Sequence, residues 1–263
     1  MTRIRPCRLL LSRVLIAGVC LAPCGFAGLI FEGVAQASGG GFGGNITLLS
    51  IQANGTERGC ISWNGTTQVI GSAACISGYP PQGGGVSAPP GGDEKTGANQ
   101  TQIRTIADTG ALNANQIRFV FNANEGGGAS SAITLADALV AFYAPTGTLL
   151  WHSGLSAGGP FTPRTFLDPT GTGTSGQVYR LDFADVQTVQ NLVFNRPDYQ
   201  NVRVGIQFAA TQANSGADNF FVTNNAALGF PEVPEPSTWI SLASGLLAFF
   251  AFWRRRRGAP ADG

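Results

Sequence analysis

QIRFVFN, residues 116–122, alternates along its whole length. Ile117, Phe119 and Phe121 fall on one side, and Arg118, Val120 and Asn122 on the other. That is the period-two pattern of a half-buried β-strand. VRVGIQFA, residues 202–209, repeats it with Val202, Val204, Ile206 and Phe208 on one side. Working outward, residues 178–183 (VYRLDF) alternate again, residues 101–107 alternate around Ile103 and Ile106, and residues 133–135, 192–194 and 219–223 are short β-prone runs. Residues 138–143 and 148–152 flank Ala144-Pro145-Thr146-Gly147, a turn with Pro and Gly where turns favour them. Residues 184–191 allow one or two helical turns. Eight to eleven short strands separated by Gly, Pro and Asn predict a mainly β body, an antiparallel β-sandwich or jelly roll.

Upstream of this body the pattern loosens. Residues 39–44 form a Gly-rich lead-in, and residues 45–52 (NITLLSIQ) read as a strand. Residues 60–63 and 67–70 are short strands around Asn64-Gly65, a strong hairpin dipeptide. Residues 79–100 carry Pro80-Pro81, Gly83-Gly84-Gly85, Pro89-Pro90 and Gly91-Gly92, a stretch unusual inside a compact domain. It reads either as a surface insertion or as a hinge between a small N-terminal piece and the main body. Four Asn-x-Thr triplets, beginning at Asn45, Asn54, Asn64 and Asn99, are read as chance matches in an Asn- and Thr-rich chain.

Both ends differ from the body. Residues 1–37 have the order of a secretory signal helix: Arg3, Arg5, Arg8 and Arg13, then a mostly apolar run, then Ala35-Gln36-Ala37 as a small-x-small cleavage signature. Glu32 is an unusual charge in such a leader. Leu21-Ala22-Pro23-Cys24 approaches a lipoprotein signal, but Pro beside the Cys fits it poorly. At the other end, Val233-Pro234-Glu235-Pro236-Ser237 is extended and refuses helix, because each Pro fixes φ and pushes its predecessor out of the α region. Residues 239–253 carry no charge, and Arg254, Arg255, Arg256 and Arg257 follow. As a helix, residues 237–253 would span about 25 Å, a little short of the roughly 30 Å hydrocarbon core. Trp239 and Trp253 bracket the run as interfacial aromatics do, and the Arg cluster should stay cytoplasmic. The alternative is a plain tail anchor.

This order at the C-terminal end resembles the PEP-CTERM sorting signal of Gram-negative bacteria. The resemblance covers residues 233–257 only. It implies recognition of Pro234, Glu235 and Pro236 by an exosortase-type enzyme, retention through Arg254 to Arg257, and passage through the inner membrane. It also implies removal of the tail and residence at the cell surface or in an extracellular matrix, where extracellular polysaccharide is a candidate partner. The expected organisation is a signal peptide (1–37), a Gly-rich N-terminal segment (38–100), a β-sandwich body (101–232) and a sorting signal with a transmembrane helix (233–263).

Charge and cysteine usage fit export. Of sixteen basic residues four lie in the leader and four in the tail, which leaves eight; of fifteen acidic residues three lie outside residues 38–232, which leaves twelve. The body is therefore about four units negative and carries one Lys, a poor match to nucleic acid. Cys60 and Cys75 are the only body cysteines, an even pair suited to a disulfide in an oxidising compartment. A metal pair lacks neighbouring ligands.

The catalytic inventory is thin. His152 is the only His, at a strand end beside Ser153, and no Gly-x-Ser-x-Gly elbow occurs. Asp182 and Asp185 are close in sequence, and Asp168, Asp198, Asp218 and Glu125 sit in turns, but no carboxylate pair stands out for glycoside hydrolysis. Residues 214–219 (NSGADN) are rich in oxygen ligands, which makes Asp218 and Asn219 the candidates for a structural calcium; the competing reading is an ordinary turn. Trp63, Tyr79, Tyr143, Trp151, Tyr179 and Tyr199 are the aromatics a sugar platform would use, although strand alternation places most of them in the core or at its rim. The expectation is an exported, non-enzymatic surface or matrix protein without a catalytic cofactor. A carbohydrate-binding module is the alternative, and a glycan-active hydrolase the more distant one.

Overall fold

The computed structural model describes residues 28–35, 46–76, 92–97, 100–124, 132–153, 162–167, 176–214 and 216–230. Among these the chain forms β1 (Leu29–Ala35), β2 (Ile46–Ile51), β3 (Asn54–Trp63), β4 (Gln68–Ile70), β5 (Arg104–Thr105) and β6 (Ile117–Asn122). β7 (Ala132–Tyr143), β8 (Leu149–His152), β9 (Arg164–Leu167), β10 (Gly176–Leu181), β11 (Arg203–Asn214) and β12 (Asp218–Asn224) follow. Two short helices, α1 (Ile106–Thr109) and α2 (Phe183–Val189), interrupt the strands. All paired strands run antiparallel.

The strands form two sheets. The first has the order β1-β10-β6-β12-β2; the second has β4-β3-β11-β7-β8, with β5 on β11 and β9 on β7. No neighbouring pair in the first sheet is consecutive in sequence. The second contains two simple hairpins, β3–β4 and β7–β8. The sheets face each other across one core. Phe121 of β6 and Phe220 of β12 meet Phe208 of β11, with ring centroids 5.8 and 4.8 Å away, and Phe121 and Phe220 lie 5.5 Å apart. Alternation supplied these inward side chains, since every second residue of a strand points to the same side. Burying three Phe side chains contributes on the order of 6 kcal/mol before entropy is counted.

β6 is buried on both faces rather than half-buried as its alternation suggested. Its outer face is covered: Val120 packs with Ala35 and Val178, and with the partly buried Phe221, Leu228 and Phe230. The stretch that closes the body, Ala226–Leu228 and on to Phe230, is the cover.

Three segments depart from the sequence expectation. Leu29–Ala35, read as leader, is the edge strand β1, paired with β10 from Leu29↔Leu181 to Ala35↔Gly176. Residues 192–194, read as a strand, belong to the π-helical turn Gln190–Phe194 that continues α2. Val193 and Phe194 are buried from that turn, so their apolar character reflects burial, which helix and strand share. The alternating run 101–107 gives only the two residues of β5 before α1 starts. Thr105 and Asp108 form a capping box, with Asp108 N–H donating to Thr105 Oγ1 (3.1 Å) and Thr105 N–H to Asp108 Oδ2 (2.8 Å).

The described residues of the segment 38–100 pair into both sheets. β2 pairs β12 in the first sheet and β3 pairs β11 in the second. Residues 92–97 lie against β2 and β3: Cys60 N–H donates to Glu94 Oε1 (2.8 Å), Arg58 N–H to Asp93 Oδ2 (2.9 Å) and Lys95 N–H to Ser50 O (2.8 Å). That end of the Gly- and Pro-rich stretch is anchored to β2 and β3. Cys60 and Cys75 are bonded, with Cα atoms 5.3 Å apart, and tie β3 to the turn after β4.

The β3–β4 and β7–β8 turns meet. Gly65 and Gly147 both have left-handed φ, +99° and +90°. A Cβ on Gly65 would lie 2.3 Å from Thr146 O, and one on Gly147 2.3 Å from the Asn64 carbonyl carbon. Trp63 Nε1 donates to Pro145 O across the same contact (2.8 Å). Both turns were legible as Asn-Gly and Pro-x-Gly; their stacking was not.

Candidate functional site

The expected site residues scatter, and the structure gives most of them architectural work. His152, at the end of β8, is buried, and its Nδ1 lies 2.8 Å from Ser153 O. Ser153 Oγ accepts from Val140 N–H (3.0 Å), so both residues close the strand end. Asp198 pairs with Arg196 through two contacts, 2.9 and 3.0 Å, and this hydrogen-bonded guanidinium holds its carboxyl below the usual range. Asp168, Glu125 and Tyr79 lie outside the described residues, as do Pro234, Glu235, Pro236 and Arg254 to Arg257. Among the described residues no helix is long and apolar enough to cross a membrane.

Asp218 starts β12 and is fully buried; its Oδ1 accepts from Asn124 N–H (2.7 Å). Its carboxyl also meets that of Glu57 on β3, itself fully buried. Burial raises the Asp218 pKa, and the hydrogen bonds from Glu57 and Asn124 offset part of the rise. Two facing carboxyls in a dry site favour one shared proton. Asn219 turns its amide nitrogen toward Ala217 O (2.8 Å), so its donor side is engaged within the turn. Among the described residues no group of three or more His, Cys, Asp or Glu could hold a metal ion. The donor set around Asp218 and Asn219 is that of a hydrogen-bonded turn.

The aromatics are engaged as well. Trp63 donates to Pro145 and lies under the Arg203 guanidinium, 4.9 Å from its ring centroid. Trp151 packs on Phe142, and Tyr199 on Phe194. Tyr143 and Tyr179 are buried, and burial pushes the Tyr143 hydroxyl up to about 12 and raises that of Tyr179 further.

The most concentrated charge chemistry lies where the body begins. Arg118 on β6 is 1% exposed, and its guanidinium takes Glu32 of β1 in a two-pronged ion pair through Nε and Nη2, the latter 3.0 Å from Oε1. Its Nη1 donates to Asn115 O (2.6 Å) and Ile117 O (3.0 Å). Glu32 sits at the bulge between Phe31 and Gly33, where the register with β10 shifts. Just before β1, Gly28 N–H donates to Asp185 Oδ2 (2.8 Å), and Gly28 O accepts from Asp182 N–H (3.1 Å). Asp182 caps α2 through Oδ1, which accepts from Asp185 N–H (2.7 Å). Burial raises the Asp182 pKa against the pull of those backbone donors and of Arg180. None of this was foreseen from sequence. The available signal was Glu32, a charge where a leader should have none.

Phe230, the last of the described residues, lies beside β1. A Cβ at Gly33 would lie 3.3 Å from Phe230 Cε1. No curated protein matches the chain, and no solved structure matches it. Residues 232–257 match the PEP-CTERM protein-sorting motif, so the chain carries the sorting signal of exported proteins that exosortase-type enzymes process, on a body that no family model matches.

Proposed function

We propose that this chain is the precursor of a non-enzymatic surface or matrix protein of a Gram-negative bacterium, delivered by its sorting signal. The carrying observation is the motif match over residues 232–257. In this reading the Pro234-Glu235-Pro236 box is the recognition element. Residues 237–253 hold the precursor in the inner membrane, and Arg254 to Arg257 keep its end cytoplasmic. Cleavage near the box then frees a two-sheet body of net negative charge. The structural work done by His152, Asp182, Asp198 and Trp63 supports a scaffold role for the body.

The test follows the protein in producing cells with and without the exosortase-type enzyme. The expected result is a mature form that has lost its C-terminal segment and left the inner membrane only when the enzyme is present. Unchanged mass and location in both strains would overturn the reading. Retention of the mature body on the producer's own polysaccharide would add a glycan-binding role.

A further inference from the structure

The leader's end can be read from the fold. A cut after Ala37 would remove β1 entirely and strip Arg118 of Glu32, leaving a buried guanidinium without its carboxylate. Such an uncompensated charge is strongly destabilising. It would also remove Leu29 and Phe31 from the core edge, where the Phe31 ring stacks under the Arg164 guanidinium at 3.6 Å. The body therefore needs β1.

Gly28, the first of the described residues, is held through both its backbone groups. Its nitrogen points at a buried carboxylate, Asp185, which is fully buried. Oδ2 of the neighbouring Asp182, 2% exposed, has no hydrogen-bond partner. Immediately upstream the sequence reads Gly25-Phe26-Ala27, a small-x-small signature. It follows an uncharged apolar run of eight residues, 14–21, and Pro23, which ends a helix. The apolar run and the signature have the spacing of a short leader; Ala35-Gln36-Ala37 lies far beyond it.

We propose that a leader peptidase hydrolyses the Ala27–Gly28 bond, and that the new α-ammonium of Gly28 pairs with the Asp185 carboxylate in the mature protein. Water adds its oxygen to the Ala27 carbonyl carbon and the C–N bond breaks. Ala27 leaves as a carboxylate, and the Gly28 nitrogen takes up the protons to become an ammonium. The hydrogen bond already present then becomes an ion pair, and the ammonium brings further donors to the turn that holds Asp182. This inference rests on the export reading.

N-terminal sequencing and intact mass of the mature protein from producing cells test the cut. The expected first residue is Gly28. A start at Ser38, or anywhere within or after β1, overturns the site while leaving export standing. An uncut N-terminus on a protein that has lost its tail overturns leader cleavage but not sorting; two uncut ends overturn both. The ion pair is tested on the same mature protein with an amine-acylating reagent near pH 7. Lys95 is the only competing side-chain amine. The expected result is that the Gly28 amine reacts at least about tenfold more slowly in the native protein than in urea, one pKa unit or more of protection. Asp185→Asn should bring the native rate toward the unfolded one. Equal rates in the wild-type native and unfolded protein would overturn the pair without recourse to the variant.

Discussion

Arg118 and Glu32 join the two outermost chemistries of the first sheet: a guanidinium buried in its central strand is neutralised by a carboxylate from its edge, across β10. Removing one partner of such a pair leaves the other uncompensated, whereas removing both does not. Glu32→Gln should cost about 2–4 kcal/mol, a fall of roughly 5–12 °C in Tm for a body of this size. Arg118→Met combined with Glu32→Gln should cost less than the sum of the single changes. Thermal unfolding of the three variants reads the coupling, and strict additivity would show that the pair does not act as a unit.

The touching turns give a sterically defined prediction. At Gly65 and Gly147 a side chain meets both a left-handed φ and the opposing backbone at 2.3 Å. Gly147→Ala should destabilise by about 2–4 kcal/mol, more than the positive φ alone would cost. Gly55 also has positive φ (+83°), with nothing within 4 Å of its Cβ position. Gly55→Ala should therefore cost only about 1 kcal/mol. Equal losses in urea unfolding would mean that the turns do not press on each other.

Cys60 and Cys75 close a loop with a sequence separation of 15. Replacing both with Ala should cost about 3 kcal/mol by the chain-entropy account. Reduced wild type should unfold at the midpoint of the double variant. A reductant that leaves the wild-type midpoint unmoved would contradict the bridge.

Alkali should unfold the protein through its buried tyrosines. The Tyr143 hydroxyl is raised to about 12 by burial, against an ordinary value near 10. A folded-state value above the unfolded one means the folded state holds its proton more tightly. The stabilisation is whole below about pH 10 and is lost as pH rises toward 12, at roughly 1.4 kcal/mol per unit. Tyr143→Phe should flatten this decline, and thermal midpoints taken from pH 9 to 12 would show it.

The Glu57–Asp218 pair has the same sign at lower pH. Burial raises the Asp218 pKa, so its favourable contribution is present at low pH and lost as pH rises through the folded value. Asp218→Asn should therefore match or exceed wild-type stability at pH 7 and lose that advantage toward pH 4. A calcium ion at this turn would reverse the sign, with both Asp218→Asn and a chelator lowering the midpoint at pH 7.

Alternation at residues 116–122 and 202–209 determined that the chain is a sheet protein, because a strand needs only its own period to expose which side is apolar. Asn64-Gly65 and Ala144–Gly147 determined two hairpins, since turn chemistry is local. The Pro-Glu-Pro box, apolar run and Arg cluster determined the sorting signal in the same linear way. Apolarity alone was ambiguous at 192–194, where a π-helical turn buries what looked like a strand, and at 29–35, where an edge strand looked like leader. Only the tertiary structure decided these, because the partners are distant: Glu32 meets Arg118 86 residues away and Gly28 meets Asp185 157 residues away. A buried charge becomes intelligible only beside its counter-charge, and sheet pairing between strands far apart in sequence is what brings the two together.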